Sequence, residues 1–246
     1  MGKYSDVRTK AYTEKNRRHT SSCLYCNLPA NTREHVPSKV FLNDPFPDNL
    51  SIVPACIACN NGFSEDELYT ACMVDFFRHT FFCKQISLRE KTLKAIEHDD
   101  KLAKAFKEGF NVNDNILTVN YDEDRVKRIL LKLSKGHIAT KMDVNVDALE
   151  KLLSCVIKFK PNIDRSELAE FEKVPMVDII GEIGSDLTHD ILVIENKTTN
   201  DKLSVVLWQI VQDGNYRYLV FPNMQNGYTV RIVILEVLFA EIIYES

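Results

Sequence analysis

Two Cys-x-x-Cys turns, Cys23 to Cys26 and Cys56 to Cys59, stand with 29 residues between them and constrain the fold more than any other feature of the chain. Each offers a pair of thiolates to one tetrahedral ion, so a zinc would draw residues 23–59 into one compact unit. Four thiolates fill the coordination sphere, which makes such an ion structural and leaves catalysis to other side chains. Inside the clasp lie Glu34 and His35, and Asn60 follows the second turn at once. A base, a carboxylate and an amide oxygen are the groups that hold a hard divalent cation beside an activated water. The pattern predicts a phosphodiester-cleaving site built on a structural zinc.

The clasped segment 23–63 is rich in turn formers, including Pro29, Pro37, Pro45, Pro47 and Pro54, and is short of apolar residues that would hold it without the ion. The run 50–53 reads as a short strand entering the second turn. With an extended chain before His35, it predicts a hairpin that brings Asn60 near Glu34 and His35. Ser64 with Glu67 three residues on reads as a capping box, predicting a helix that opens just after Asn60 and runs to about residue 82. Apolar residues then recur at helical spacing over 88–110 and 122–159, as in Val126, Ile129, Leu130 and Leu133, and later Leu149, Leu152, Leu153 and Val156.

After Pro161 the pattern turns to strands at 191–194, 203–211, 216–221 and 228–244, with Asp213-Gly214 and Asn226-Gly227 where hairpin turns belong. Trp208 reads as a core residue. The expected fold is α+β, in three regions: 1–85 with the clasped site, a helical middle at 86–160, and a β-rich part at 161–246 with a mainly antiparallel sheet. With 45% hydrophobic residues the chain can bury a real core.

Net charge is −4, but it divides unevenly. Residues 1–39 carry eight Lys/Arg against three acids, a balance of +5, and the remainder carries 23 against 32, a balance of −9. A basic leader on an acidic body is expected where one face meets phosphate. Arg17 and Arg18 are the candidate contacts in the leader, and Arg33 is the candidate beside Glu34. No stretch approaches the roughly 18 uninterrupted apolar residues of a membrane span, and residues 1–20 are polar and basic, unlike a signal peptide. The expected location is cytoplasmic, where Cys72, Cys83 and Cys155 stay thiols and serve as small core residues.

The stretch Arg33-Glu34-His35-Val36-Pro37, then Asp48-Asn49-Leu50, then Cys56-Ile57-Ala58-Cys59-Asn60-Asn61 resembles the HNH endonuclease family in its zinc-knuckle form. The likeness covers about residues 23–70, and the wider chain resembles stand-alone bacterial HNH proteins. It implies a ββα-metal finger, with His35 as general base and Glu34 and the Asn60 side-chain oxygen as ligands of Mg2+ or Mn2+. Asn49 would be the middle Asn that braces the loop and orients His35. The family's last position is often His, and Asn60 is a variant of it. The basic residue that usually follows soon after is replaced by the neutral, then acidic, run Asn61-Gly62-Phe63-Ser64-Glu65-Asp66. One acidic ligand implies one-metal cleavage of nucleic acid, with DNA the expected substrate and a homodimer a natural arrangement for double-strand cutting.

Two other classes use the same cysteines. One is a non-catalytic zinc module that binds nucleic acid or a protein partner. The other is an assembly domain with the apolar run 230–240 as a subunit interface. If the leader touches phosphates, replacing Arg17 and Arg18 together by Ala should flatten the slope of log affinity against log salt by roughly one to two units, measured by DNA titration at several salt concentrations. An unchanged slope would mean a solvated tail.

Overall fold

The computed structural model describes residues 22–82, 84–113, 116–142, 151–176, 191–195, 197–199 and 202–245. Arg17, Arg18 and Cys83 lie outside the described residues. Five helices and eleven strands are described: β1 (Thr32–Val36), β2 (Ser51–Ala55), α1 (Ile57–Phe81), α2 (Glu90–His98), α3 (Asp100–Gly109), β3 (Phe110–Asn113), β4 (Ile116–Val119), α4 (Glu123–Met142), β5 (Lys151–Phe159), α5 (Arg165–Glu172), β6 (Ile191–Glu195), β7 (Lys202–Val206), β8 (Gln209–Gln212), β9 (Tyr216–Pro222), β10 (Tyr228–Ile234) and β11 (Leu238–Glu245). The class is α+β. The main sheet is antiparallel in the order β5-β11-β10-β9-β8, and β1–β2, β3–β4 and β6–β7 form separate two-stranded sheets.

Helix α4 sits at the centre, touching α1 and the β1–β2 hairpin as well as β5, β9, β10 and β11. Its apolar residues Val126, Ile129, Leu130, Leu133 and Ile138 are buried in one cluster with Met73, Val74 and Phe77 of α1 and Ile232, Leu238 and Ile242 of the sheet. A helix covered on so many sides must also satisfy its polar residues internally. Ser134 Oγ lies 2.7 Å from the Tyr244 hydroxyl, and His137 Nε2 lies 2.7 Å from the Tyr216 hydroxyl. The hairpin approaches so closely that a Cβ at Gly136 would lie 2.8 Å from Val36 Cγ2. Val36 is buried and β-branched and has little room to give.

Local expectations fail where tertiary contacts outweigh them. Helix α1 begins at Ile57 with Cys56 as N-cap, so Ser64 is inside the helix, where its hydroxyl donates to the Asn61 carbonyl at 2.7 Å. Residues 88–110 divide into α2 and α3 because the Asp99 side chain accepts from the Lys101 and Leu102 amides and starts a new helix. Of the expected helical stretch 122–159, Glu123–Met142 is the helix α4 and 151–159 is the strand β5 paired with β11, while Leu149 lies outside the described residues. In β5 Cys155, Ile157 and Phe159 face the core with Val156 exposed between them, and Leu152 and Leu153 are both exposed where the register with β11 shifts. The main sheet thus takes a strand from before the expected boundary at 160.

The expected strand 203–211 divides into β7 and β8, and 228–244 is the hairpin β10–β11, turned at Leu235 and Glu236 with φ of 54° and 55°. Most of the run 230–240 is buried in the core, the commoner fate of such a run and not that of a subunit interface. Trp208 is half-buried under β9, packed on the small cluster of Val206 and Leu219. No helix among the described residues is long and apolar enough to cross a membrane.

His137 lies stacked on Tyr218, and complete burial pushes its pKa well below the ordinary value. The folded state keeps it neutral while the unfolded chain protonates below about pH 6.5. Its contribution to stability is therefore present above that pH and is lost as pH falls, by up to ~1.4 kcal/mol per pH unit. Urea unfolding at pH 7.5, 6.5 and 5.5 should show this slope, and His137→Gln should remove it.

Candidate functional site

The first knuckle is a tight turn in which the Cys23 amide donates to the Leu28 carbonyl at 2.7 Å, the Asn27 amide donates to the Cys23 carbonyl at 3.0 Å, and Asn27 takes a φ of 61°. The second knuckle is the first turn of α1, where the Cys59 amide donates to Cys56 Sγ at 3.3 Å. Backbone bonds tie the two together, from the Leu24 amide to the Pro54 carbonyl and from the Asn31 amide to the Ala55 carbonyl. The Asn31 side chain accepts from the Ile57 amide at 2.9 Å, capping the helix from the other knuckle.

All four Sγ atoms lie within 4.8 Å of one another, with Cys26 and Cys56 at 3.6 Å. A tetrahedron with metal–sulfur bonds of about 2.3 Å has edges near ~3.8 Å, so the cluster fits zinc. The Cys59 amide is the main reason the Cys56 thiol is lowered to about 7, while burial pushes the Cys59 thiol up.

The clasp fixes the start of α1 against the β1–β2 hairpin, whose register sets Glu34 opposite Val53 and His35 opposite Ile52. Strand alternation turns Thr32, Glu34 and Val36 toward the interior, and Arg33 and His35, both half-buried, toward the other side. Asn60 reaches β1 through Nδ2, 3.3 Å from both Thr32 Oγ1 and the Arg33 carbonyl. The expected meeting of Asn60 with β1 therefore occurs at Thr32 and Arg33, and adjacent positions send Glu34 and His35 in opposing directions. Asn49 is exposed in the turn before β2. The segment between the strands is anchored more firmly than its prolines suggest. Phe41 and Leu42 are fully buried in the main core, and Gln212 brackets Asn43 by accepting from its amide at 2.7 Å and donating to its carbonyl at 2.9 Å.

Glu34 is buried beside Lys132 of α4, whose Nζ lies 3.0 Å from Glu34 Oε1. The same ammonium contacts Glu67 Oε1 and donates to Ser38 Oγ at 2.9 Å, while the one Ser38 hydroxyl proton is in reach of Glu67 and, at 3.4 Å, of Glu34 Oε1. Burial pushes the Glu34 carboxyl up, Lys132 pulls it down and Glu67 pushes it up again, with a net rise. Removing one partner from such a buried pair costs about 3–5 kcal/mol, because it strands the opposite charge. Sequence reasoning missed Lys132, Glu67 and Ser38 as site residues. Lys132 lies beside the apolar stripe of α4, where burial would demand a partner, but nothing local points 98 positions back to Glu34.

Helix α4 brings two arginines against α1. Arg125 Nε and Arg128 Nη1 each lie 2.6 Å from an Asp66 oxygen, and Arg128 Nη2 donates to the Gly62 carbonyl at 3.1 Å. Comparison with family models, with curated proteins and with solved structures found no match.

Replacing Cys23 or Cys56 by Ser should release about one zinc per chain, measured by elemental analysis. Amide exchange should then rise in 22–31 and 54–61 and stay slow at 39–42, which Phe41 and Leu42 hold to the core. Cys72→Ser and Cys155→Ser should keep the metal.

Proposed function

We propose that this chain is a metal-dependent endonuclease of the HNH type, cutting DNA by a one-ion mechanism on a ββα-metal finger. The observation that carries the reading is the order of parts around the cysteine cluster: two antiparallel strands, then a helix, with Asn60 of its first turn hooked onto the strand that bears Glu34 and His35. Half-buried His35 serves as general base and takes a proton from the attacking water. In this reading Arg33, on the same side of β1, would hold a phosphate, and Asn49, exposed in the turn before β2, would orient His35.

The donor types fit a hard divalent ion. Glu34 supplies a carboxylate, and Asn60 spends its NH2 group on β1, which keeps the amide oxygen as its ligating atom. A bound Mg2+ or Mn2+ supplies charge stabilisation at the phosphoryl and departing oxygens. One feature favours a second reading, a non-catalytic zinc module that binds nucleic acid or a protein: Glu34 already has a cation partner in Lys132.

The two readings separate in a cleavage assay on supercoiled plasmid, single-stranded DNA and RNA, with and without Mg2+ or Mn2+. The nuclease should cut only with the ion, and His35→Ala should keep its fold and zinc while losing at least ~100-fold in rate. Full activity in that variant overturns the role of His35, and no cleavage by the wild-type chain with either ion favours the binding module.

A further inference from the structure

Glu34 and Glu67 come from different elements, β1 and α1, yet share one buried ammonium from a third, α4. Among the described residues Lys132 is the one cation in ion-pair contact with either carboxylate. Its ammonium is in contact with both carboxylates at once. Ser38 links the set, accepting from Lys132 and offering its one proton to either carboxylate. Above the ammonium lie the rings of Phe63 at 5.4 Å and Tyr25 at 6.0 Å, and Tyr25 belongs to the first cysteine turn. One positive charge between two buried carboxylates leaves one negative charge unmatched, which a buried site tolerates poorly. The arrangement therefore has room in its charge balance for a second cation, and Glu34, borne by the strand that Asn60 is hooked onto, is the carboxylate that the nuclease reading gives to it.

We propose that Lys132 is a positioning residue for Glu34: an internal cation that competes with the divalent ion for this carboxylate and withdraws to Glu67 when the ion binds. The proposal rests on the nuclease reading for the role of Glu34 and adds a residue remote from the motif. Lysine suits the task because its ammonium is a compact charge on a flexible stem, able to change partners within a small volume. Glu67 is the seat that keeps Lys132 buried and paired after it leaves Glu34. The ion's affinity is then set by the division of one ammonium between two carboxylates.

Mn2+ affinity of the zinc-loaded full chain, measured without nucleic acid by electron paramagnetic resonance of free Mn2+, tests this. Lys132→Met should tighten Mn2+ binding by at least ~10-fold, about the effect of removing 1.4 kcal/mol of competition. Lys132→Arg, whose planar fork pins carboxylates, and Glu67→Gln, which removes the alternative seat, should each weaken it at least ~5-fold. Glu34→Gln should abolish the measured site. A merely structural lysine would make every substitution weaken binding, so weaker or unchanged binding in a folded Lys132→Met overturns the proposal. Should Lys132→Met fail to fold, unchanged or tighter binding in Lys132→Arg or Glu67→Gln overturns it. Plasmid cleavage is scored separately: a wild-type chain that binds Mn2+ as expected without cutting defeats the nuclease reading alone. Cutting with Mn2+ affinity indifferent to Lys132 defeats this proposal alone. Absence of Glu34-dependent Mn2+ binding in every variant defeats the ligand role of Glu34 and the proposal with it.

Discussion

The burial of α4 is the constraint on which the rest of the structure depends. A helix that touches a hairpin, another helix and four strands keeps only a narrow solvent face, so each buried polar residue on it needs a partner in a particular neighbour. Lys132 takes the hairpin and α1, Arg125 and Arg128 take Asp66 of α1, and Ser134 and His137 take tyrosines of the sheet. Apolar burial supplies most of the stabilisation, and these directed contacts select one orientation of the helix among many that would bury similar area. Gly136 allows the approach of Val36 and so brings β1 within reach of Lys132.

A second constraint acts at short range. The cysteine cluster joins two turns that have only a small apolar nucleus of their own, Ala55 with Tyr25 and the buried cysteines. It therefore determines where α1 starts, and the start of α1 determines where Asn60 meets β1. The two devices converge on Glu34: the clasp places its strand against one helix, and the central helix sends a charge to it. A carboxylate held in this way is raised by burial and balanced by a lysine, which is a poised state more than an inert one.

Legibility in the sequence followed the range of the interactions. The cysteine spacing, the strand at 50–53 and the turns Asp213-Gly214 and Asn226-Gly227 are written in adjacent residues, and the structure contains a cysteine cluster, a hairpin and turns at those places. Residues 151–159 misled because Leu152, Leu153 and Val156 repeat at a spacing that also suits a helix, whereas the inward set is Cys155, Ile157 and Phe159. Ser64 misled because a capping sequence is only a local preference, and the sulfur of Cys56 caps the same helix two turns earlier.

By itself the sequence determined the metal-binding potential of four cysteines, the α+β class and the candidate residues Glu34, His35 and Asn60, since these depend on residue type and on spacing along the chain. Only the tertiary structure decided that Asn60 hooks onto Thr32 and Arg33, that Arg125 and Arg128 pair with Asp66 of α1, and that Lys132 holds Glu34 together with Glu67. The reason is physical: a buried charge is paired by whatever group packing brings within about 3 Å of it, and that packing is set by the whole core.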